Sequence, residues 1–78
     1  TLVFSQKKDY TSYDKAVSYF NKGEVEKAKK NIEKCIQKNV DWEKPYQLLG
    51  KIYEEEGDIE SAVENYYLGF EHKNPTDQ

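Results

Sequence analysis

Residues 41–72, DWEKPYQLLGKIYEEEGDIESAVENYYLGFEH, hold two amphipathic segments joined at a glycine, and their spacing decides the fold. Asp41 is placed to cap a helix beginning at Trp42, because a carboxylate just ahead of a helix accepts a backbone N–H that has no partner in the first turn. Pro45 falls in that first turn, where a missing N–H is tolerated. Tyr46, Leu49, Ile52 and Tyr53 follow at helical spacing, with Leu48 flanking and Gly50 thinning one face. Gly57 then stops the segment, since a glycine readily takes the left-handed conformation that closes a helix, and Asp58 caps the next one. Ile59, Ala62, Val63, Tyr66, Tyr67 and Phe70 form a second stripe, and Lys73 to Gln78, with Asn74-Pro75, reads as a stop and tail.

Working outward, residues 9–42 superimpose on residues 43–76 at an offset of 34. Identities fall at Tyr19 and Tyr53, Gly23 and Gly57, Glu26 and Glu60, Ala28 and Ala62, Asn31 and Asn65. Similar pairs join them: Ala16 with Gly50, Glu24 with Asp58, Val25 with Ile59, Cys35 with Gly69, Ile36 with Phe70. The first copy therefore reads as a helix capped by Thr11 or Ser12, with Tyr13, Ala16, Val17 and Phe20 on one face and a stop at Gly23. Val25, Ala28, Ile32, Cys35 and Ile36 give its partner stripe, to about Lys38. Four helices in one all-α domain over 1–78 follow, with strand alternation confined at most to the first four residues.

Composition bounds the function. A 78-residue chain is near the size at which one core supplies only a few kcal/mol, so its ends need cover. A net charge of −3 and a basic stretch, Lys27, Lys29, Lys30 and Lys34, interrupted by Glu24, Glu26 and Glu33, argue against nucleic acid, which demands a clustered cationic surface. No apolar run approaches the roughly 18 residues of a membrane span, so no membrane insertion is expected. Thr1-Leu2-Val3-Phe4-Ser5-Gln6 lacks the charged start and apolar length of a secretory leader and is expected to be a terminal arm packed on a neighbour. With no Met, the chain is expected to be an excised or processed piece, and its single cysteine suits a reducing or an oxidising compartment alike.

The pattern resembles the tetratricopeptide repeat, W-x2-L-G-x2-Y followed by A, F, A and P. Tyr46 stands for the Trp, Leu49-Gly50 and Tyr53 match, Ala62 and Tyr66 follow, Gly69 stands for the last alanine and Pro75 comes one residue late. In the first copy Ala16, Tyr19, Ala28, Ile32 and Cys35 keep the pattern, whereas Ser12 and Lys15 occupy apolar slots and Val40 the proline slot. The resemblance implies antiparallel helix-turn-helix pairs stacked as a short right-handed α-solenoid whose first helices line a concave groove for a peptide or partner helix. Carried over, that groove presents Tyr10, Tyr13, Val17, Phe20 and Asn21, then Lys44, Gln47, Lys51, Glu54 and Glu55. The family's chaperone-tail clamp wants Lys and Asn where Tyr13 and Val17 stand and Asn at Leu48, so an apolar or aromatic ligand segment is implied instead.

Catalytic chemistry finds no constellation. His72 is alone near a helix end, Cys35 sits on an apolar stripe, and Glu54, Glu55 and Glu56 point about 100 degrees apart on a helix and cannot converge. No metal, cofactor or enzymatic activity is expected. The leading expectation is a protein–protein interaction module, a scaffold or adaptor; the alternative is a structural spacer or self-association segment with no external ligand. Terminal stripes are expected either to form a homodimer through the exposed repeat ends or to lie under the 1–8 arm and the 71–78 tail.

Overall fold

A computed structural model describes residues 8–38 and 41–72. Four helices fill them: α1 (Tyr10–Asn21), α2 (Val25–Lys38), α3 (Glu43–Glu55) and α4 (Ile59–Glu71). No strand occurs among the described residues. The expected arm at 1–7, the Val40 slot and the tail at 73–78 lie outside them.

Two helix starts differ from the sequence reading. α1 is capped by Asp9, not by Thr11 or Ser12: its Oδ1 accepts the Ser12 backbone N–H at 3.0 Å, which turns Ser12 inward as a buried helical residue. α3 starts at Glu43, one residue late, and Trp42 takes the cap position in extended backbone with no side-chain cap bond. Burial explains that displacement. The Trp42 ring is packed inside, 5.1 Å from the Tyr10 ring and 5.3 Å from that of Tyr13, so a large apolar contact outweighs a cap worth about 1 kcal/mol.

The two turns match bond for bond. Gly23 and Gly57 both have φ of 83°, a left-handed conformation in which any other residue is strained. Gly23 N–H donates to Phe20 O at 3.0 Å and Glu24 N–H to Tyr19 O at 2.8 Å; Gly57 N–H donates to Glu54 O at 3.0 Å and Asp58 N–H to Tyr53 O at 2.9 Å. These paired bonds satisfy the last carbonyls of α1 and α3. Asp58 caps α4, its Oδ1 accepting the Ser61 N–H at 3.1 Å. Asn31 and Asn65 also act alike, each donating to the carbonyl four residues earlier, of Lys27 and Ser61.

The core lies among α1, α2 and α3. Ala16, Ala28, Ile32, Cys35 and Ile52 are fully buried, joined by Trp42, Leu48 and Leu49. Each hairpin packs internally, α3 packs on α2, and α1 meets α3 only lightly. α4 joins through small residues instead: Ala62 and Gly69 are its buried positions, with Gly69 against Tyr46 and Gly50 of α3 under the Tyr66 ring.

Candidate interaction surface

The ten residues expected to line the groove divide between two environments. Tyr10 is exposed beside Trp42, and Asn21, Lys44, Gln47, Lys51, Glu54 and Glu55 are exposed on α1 and α3. Tyr13, Val17 and Phe20 are half-buried and packed against the core. Part of their surface therefore stabilises the fold. Gln47 Nε2 donates to Glu43 at 3.3 Å, and Glu54 accepts the Tyr66 hydroxyl at 2.7 Å, so these two polar groove residues are hydrogen-bonded within the chain.

Ionisable side chains serve packing in the same way. Asp9 holds the start of α1: the Ser12 backbone N–H and hydroxyl, then Lys38 at 3.2 Å, keep its carboxyl down at about 2, against partial desolvation. Its carbonyl accepts the Cys35 thiol at 3.5 Å, and burial pushes that thiol up to about 11, the reverse of a nucleophile's setting. His72 stacks on Tyr46 with ring centroids 5.3 Å apart and brings Nδ1 to 3.8 Å from Asp41 Oδ1. Burial, then the Glu54 hydrogen bond, drives the Tyr66 hydroxyl up to about 12. Among the described residues no three His, Cys, Asp or Glu side chains converge as a metal site. No described helix is long and apolar enough to cross a membrane.

Most of the exposed large apolar side chains among the described residues lie elsewhere. Ile59, Val63, Tyr67 and Phe70 of α4 are 58%, 60%, 58% and 71% exposed. At about 100 degrees per residue they fall on one stripe. Phe70, which its spacing places on one apolar stripe with Ala62 and Tyr66, is not buried with Ala62, because no described helix lies beyond α4 to receive it. Periodicity marks a face as apolar and says nothing of what covers it. The signal is legible in the four residues, whereas the groove implied by the tetratricopeptide resemblance draws on the first helix of each pair.

Fold and surface define an all-α domain of two helix hairpins with an exposed apolar stripe on its last helix that no other described helix covers. The chain belongs to the CadC C-terminal domain family, which it matches over residues 5–78. That match overturns the tetratricopeptide resemblance: the family is a different one. The shared features have a general cause, since small residues at helix contacts and glycine after a helix are what close antiparallel packing requires of any hairpin pair. No curated protein and no solved structure matches the chain.

Proposed function

We propose that this domain is a non-catalytic protein-interaction module, a short α-solenoid of two stacked hairpins that seats a helix or peptide of a protein partner. The stripe of Ile59, Val63, Tyr67 and Phe70 carries the reading. A contiguous apolar face left in water is unfavourable for the isolated chain and is the ordinary signature of an association site. Apolar residues at i, i+4 and i+8 are also how helices are recognised by helical surfaces. On α3, Lys44, Gln47 and Lys51 supply an exposed polar face alongside.

The second reading, a spacer or self-association segment, draws on the same stripe, since two copies can cover one another. A photo-crosslinking side chain placed at Tyr67 in the intact protein, with Lys44 as the comparison site, separates the two. Crosslinking to a different protein, lost on Phe70→Ser with helicity unchanged, is expected. Crosslinking only to a second copy would establish self-association, and no crosslink from Tyr67 would remove the interaction reading.

A further inference from the structure

Because the hairpins share one register, 34 residues apart, every α4 position has a counterpart in α2. α3 lies over Lys29 and Ile36 of α2, both half-buried, with Glu33 exposed at the edge of the same face. Lys29 Nζ reaches Glu56 at 2.9 Å and stands 4.9 Å from the Tyr53 ring centroid, and Glu33 and Ile36 share a shallow cleft with Tyr46 and Leu49. The α4 counterparts of these three residues are Val63, Tyr67 and Phe70, and all face solvent. The α4 face is thus more apolar than the α2 face that α3 packs on, with valine where α2 has the half-buried Lys29 and tyrosine where it has the exposed Glu33. Folding of the chain alone gives no reason for that reversal, since charged side chains are the favoured choice at exposed positions.

The opposite end of the stack is built differently. α3 buries Pro45, Leu48, Leu49 and Ile52. Their counterparts on α1 are Thr11, Asp14, Lys15 and Ser18, all exposed. A polar outer face closes that end to stacking, while α4 leaves the other end open.

Charge specifies what the open end takes. The ionisable groups of α4 besides its tyrosines are Glu60, Glu64 and Glu71; it has no Lys or Arg. Helical spacing sets these three along the long edge of the stripe that faces away from α3. On that edge the Glu71 carboxylate raises the pKa of the Tyr67 hydroxyl. We infer that the outer face of α4 docks a basic amphipathic helix of a protein partner, laid on Ile59, Val63, Tyr67 and Phe70 as α3 lies on α2, with its Lys or Arg side chains against Glu60, Glu64 and Glu71. This inference rests on the interaction-module reading and adds the partner's chemistry. A second copy fits poorly: another α4 brings no cation to the acidic edge, the exposed lysines of α2 accompany no exposed apolar stripe, and the outer face of α1 is polar. An anionic membrane surface is repelled by the same acids.

The test uses the full chain and two labelled peptides of residues 41–56, the native segment and one with Glu43, Glu54, Glu55 and Glu56 replaced by Lys, followed by fluorescence anisotropy. The lysine peptide keeps the apolar face that α3 presents to α2. It is expected to bind at least about 10-fold more tightly than the native one at low salt, with the difference shrinking as salt screens the charges. Val63→Lys and Tyr67→Glu, which install the α2 residues, are expected to weaken it at least about 10-fold without loss of helicity. Glu60→Lys with Glu64→Lys is expected to abolish the preference. Equal binding of both peptides, lost in Val63→Lys, overturns the basic partner and leaves the interaction face standing. Binding of neither, beside a positive Tyr67 crosslink, overturns this inference alone. Dimers dissolved by Val63→Lys, or binding to vesicles of anionic lipid, overturn it in favour of a second copy or a membrane.

Discussion

The Tyr66 ring lies directly on Gly50: a Cβ built on that glycine would stand 2.6 Å from Cε1 and 2.8 Å from Cδ1, nearer than carbon atoms approach. The ring is fixed there by its hydroxyl, which donates to Glu54 Oε1 at 2.7 Å.

Gly50→Ala therefore sets helix propensity against packing. Alanine gains about 1 kcal/mol in a helix interior, but the methyl forces Tyr66 off α3 and breaks its bond to Glu54. A net loss of about 1 kcal/mol is expected by urea unfolding. In a Tyr66→Ala background the same change should become stabilising. A stabilised Gly50→Ala single variant would show that the ring is not tightly seated.

Ile52 and Phe70 form a contrasting pair, at 0% and 71% exposed. Ile52→Ala should cost about 2–5 kcal/mol, enough to unfold much of a small domain, because it opens a cavity among three helices. Phe70→Ala should change stability by less than about 0.5 kcal/mol. Thermal unfolding followed by circular dichroism distinguishes them, and a large loss from Phe70→Ala would mean that the stripe is covered within the chain.

The contrast also shows what was legible in the residues alone. Glycine turns at Gly23 and Gly57, the Asp58 cap and the buried Ala28, Ile32, Cys35, Leu49 and Ile52 follow from spacing and local chemistry, because each is decided within a turn or two of helix. Trp42 was not legible, since its place depends on Tyr10 and Tyr13, about 30 residues away in the chain. Asp9 was passed over for nearer hydroxyls, although its carboxylate is the better acceptor. Of the candidate site, Lys44, Gln47 and Lys51 were placed on the surface, while the half-burial of Tyr13, Val17 and Phe20 required the neighbouring helices.

Lys29 joins the hairpins by two attractions at once, the Glu56 carboxylate at 2.9 Å and the Tyr53 ring at 4.9 Å. Lys29→Met keeps the stem and removes the charge. A loss of about 0.5–1 kcal/mol at low salt is expected, falling at 1 M salt, by paired denaturation curves. Equal stability at both salt concentrations would exclude an electrostatic link.

Acid sensitivity should appear at Asp9. Its folded-state carboxyl lies at about 2 against an ordinary 3.8, held down first by the Ser12 backbone N–H, so its stabilisation is complete above 3.8 and lost as pH falls through about 2. Asp9→Asn retains an acceptor for the cap but cannot titrate. The stability difference between wild type and variant should shrink between pH 4 and pH 2. A constant difference across that window would contradict the assignment.

Cys35 should resist alkylation. The thiol is fully buried, and desolvation holds it up to about 11. Iodoacetamide labelling at pH 8 is expected to proceed no faster than global unfolding, so labelling rates in a urea series should track unfolding measured by circular dichroism. Rapid labelling in native buffer would show that α2 opens locally.

Packing that is mostly between successive helices governs how the chain reaches this arrangement. Among the described helices, no Cα atom of α4 comes within 8 Å of one in α1 or α2, and each glycine turn closes over its own two helices. Little loop entropy stands between the unfolded chain and its first native pairings, which places folding in the microsecond-to-millisecond range and lets either hairpin nucleate it.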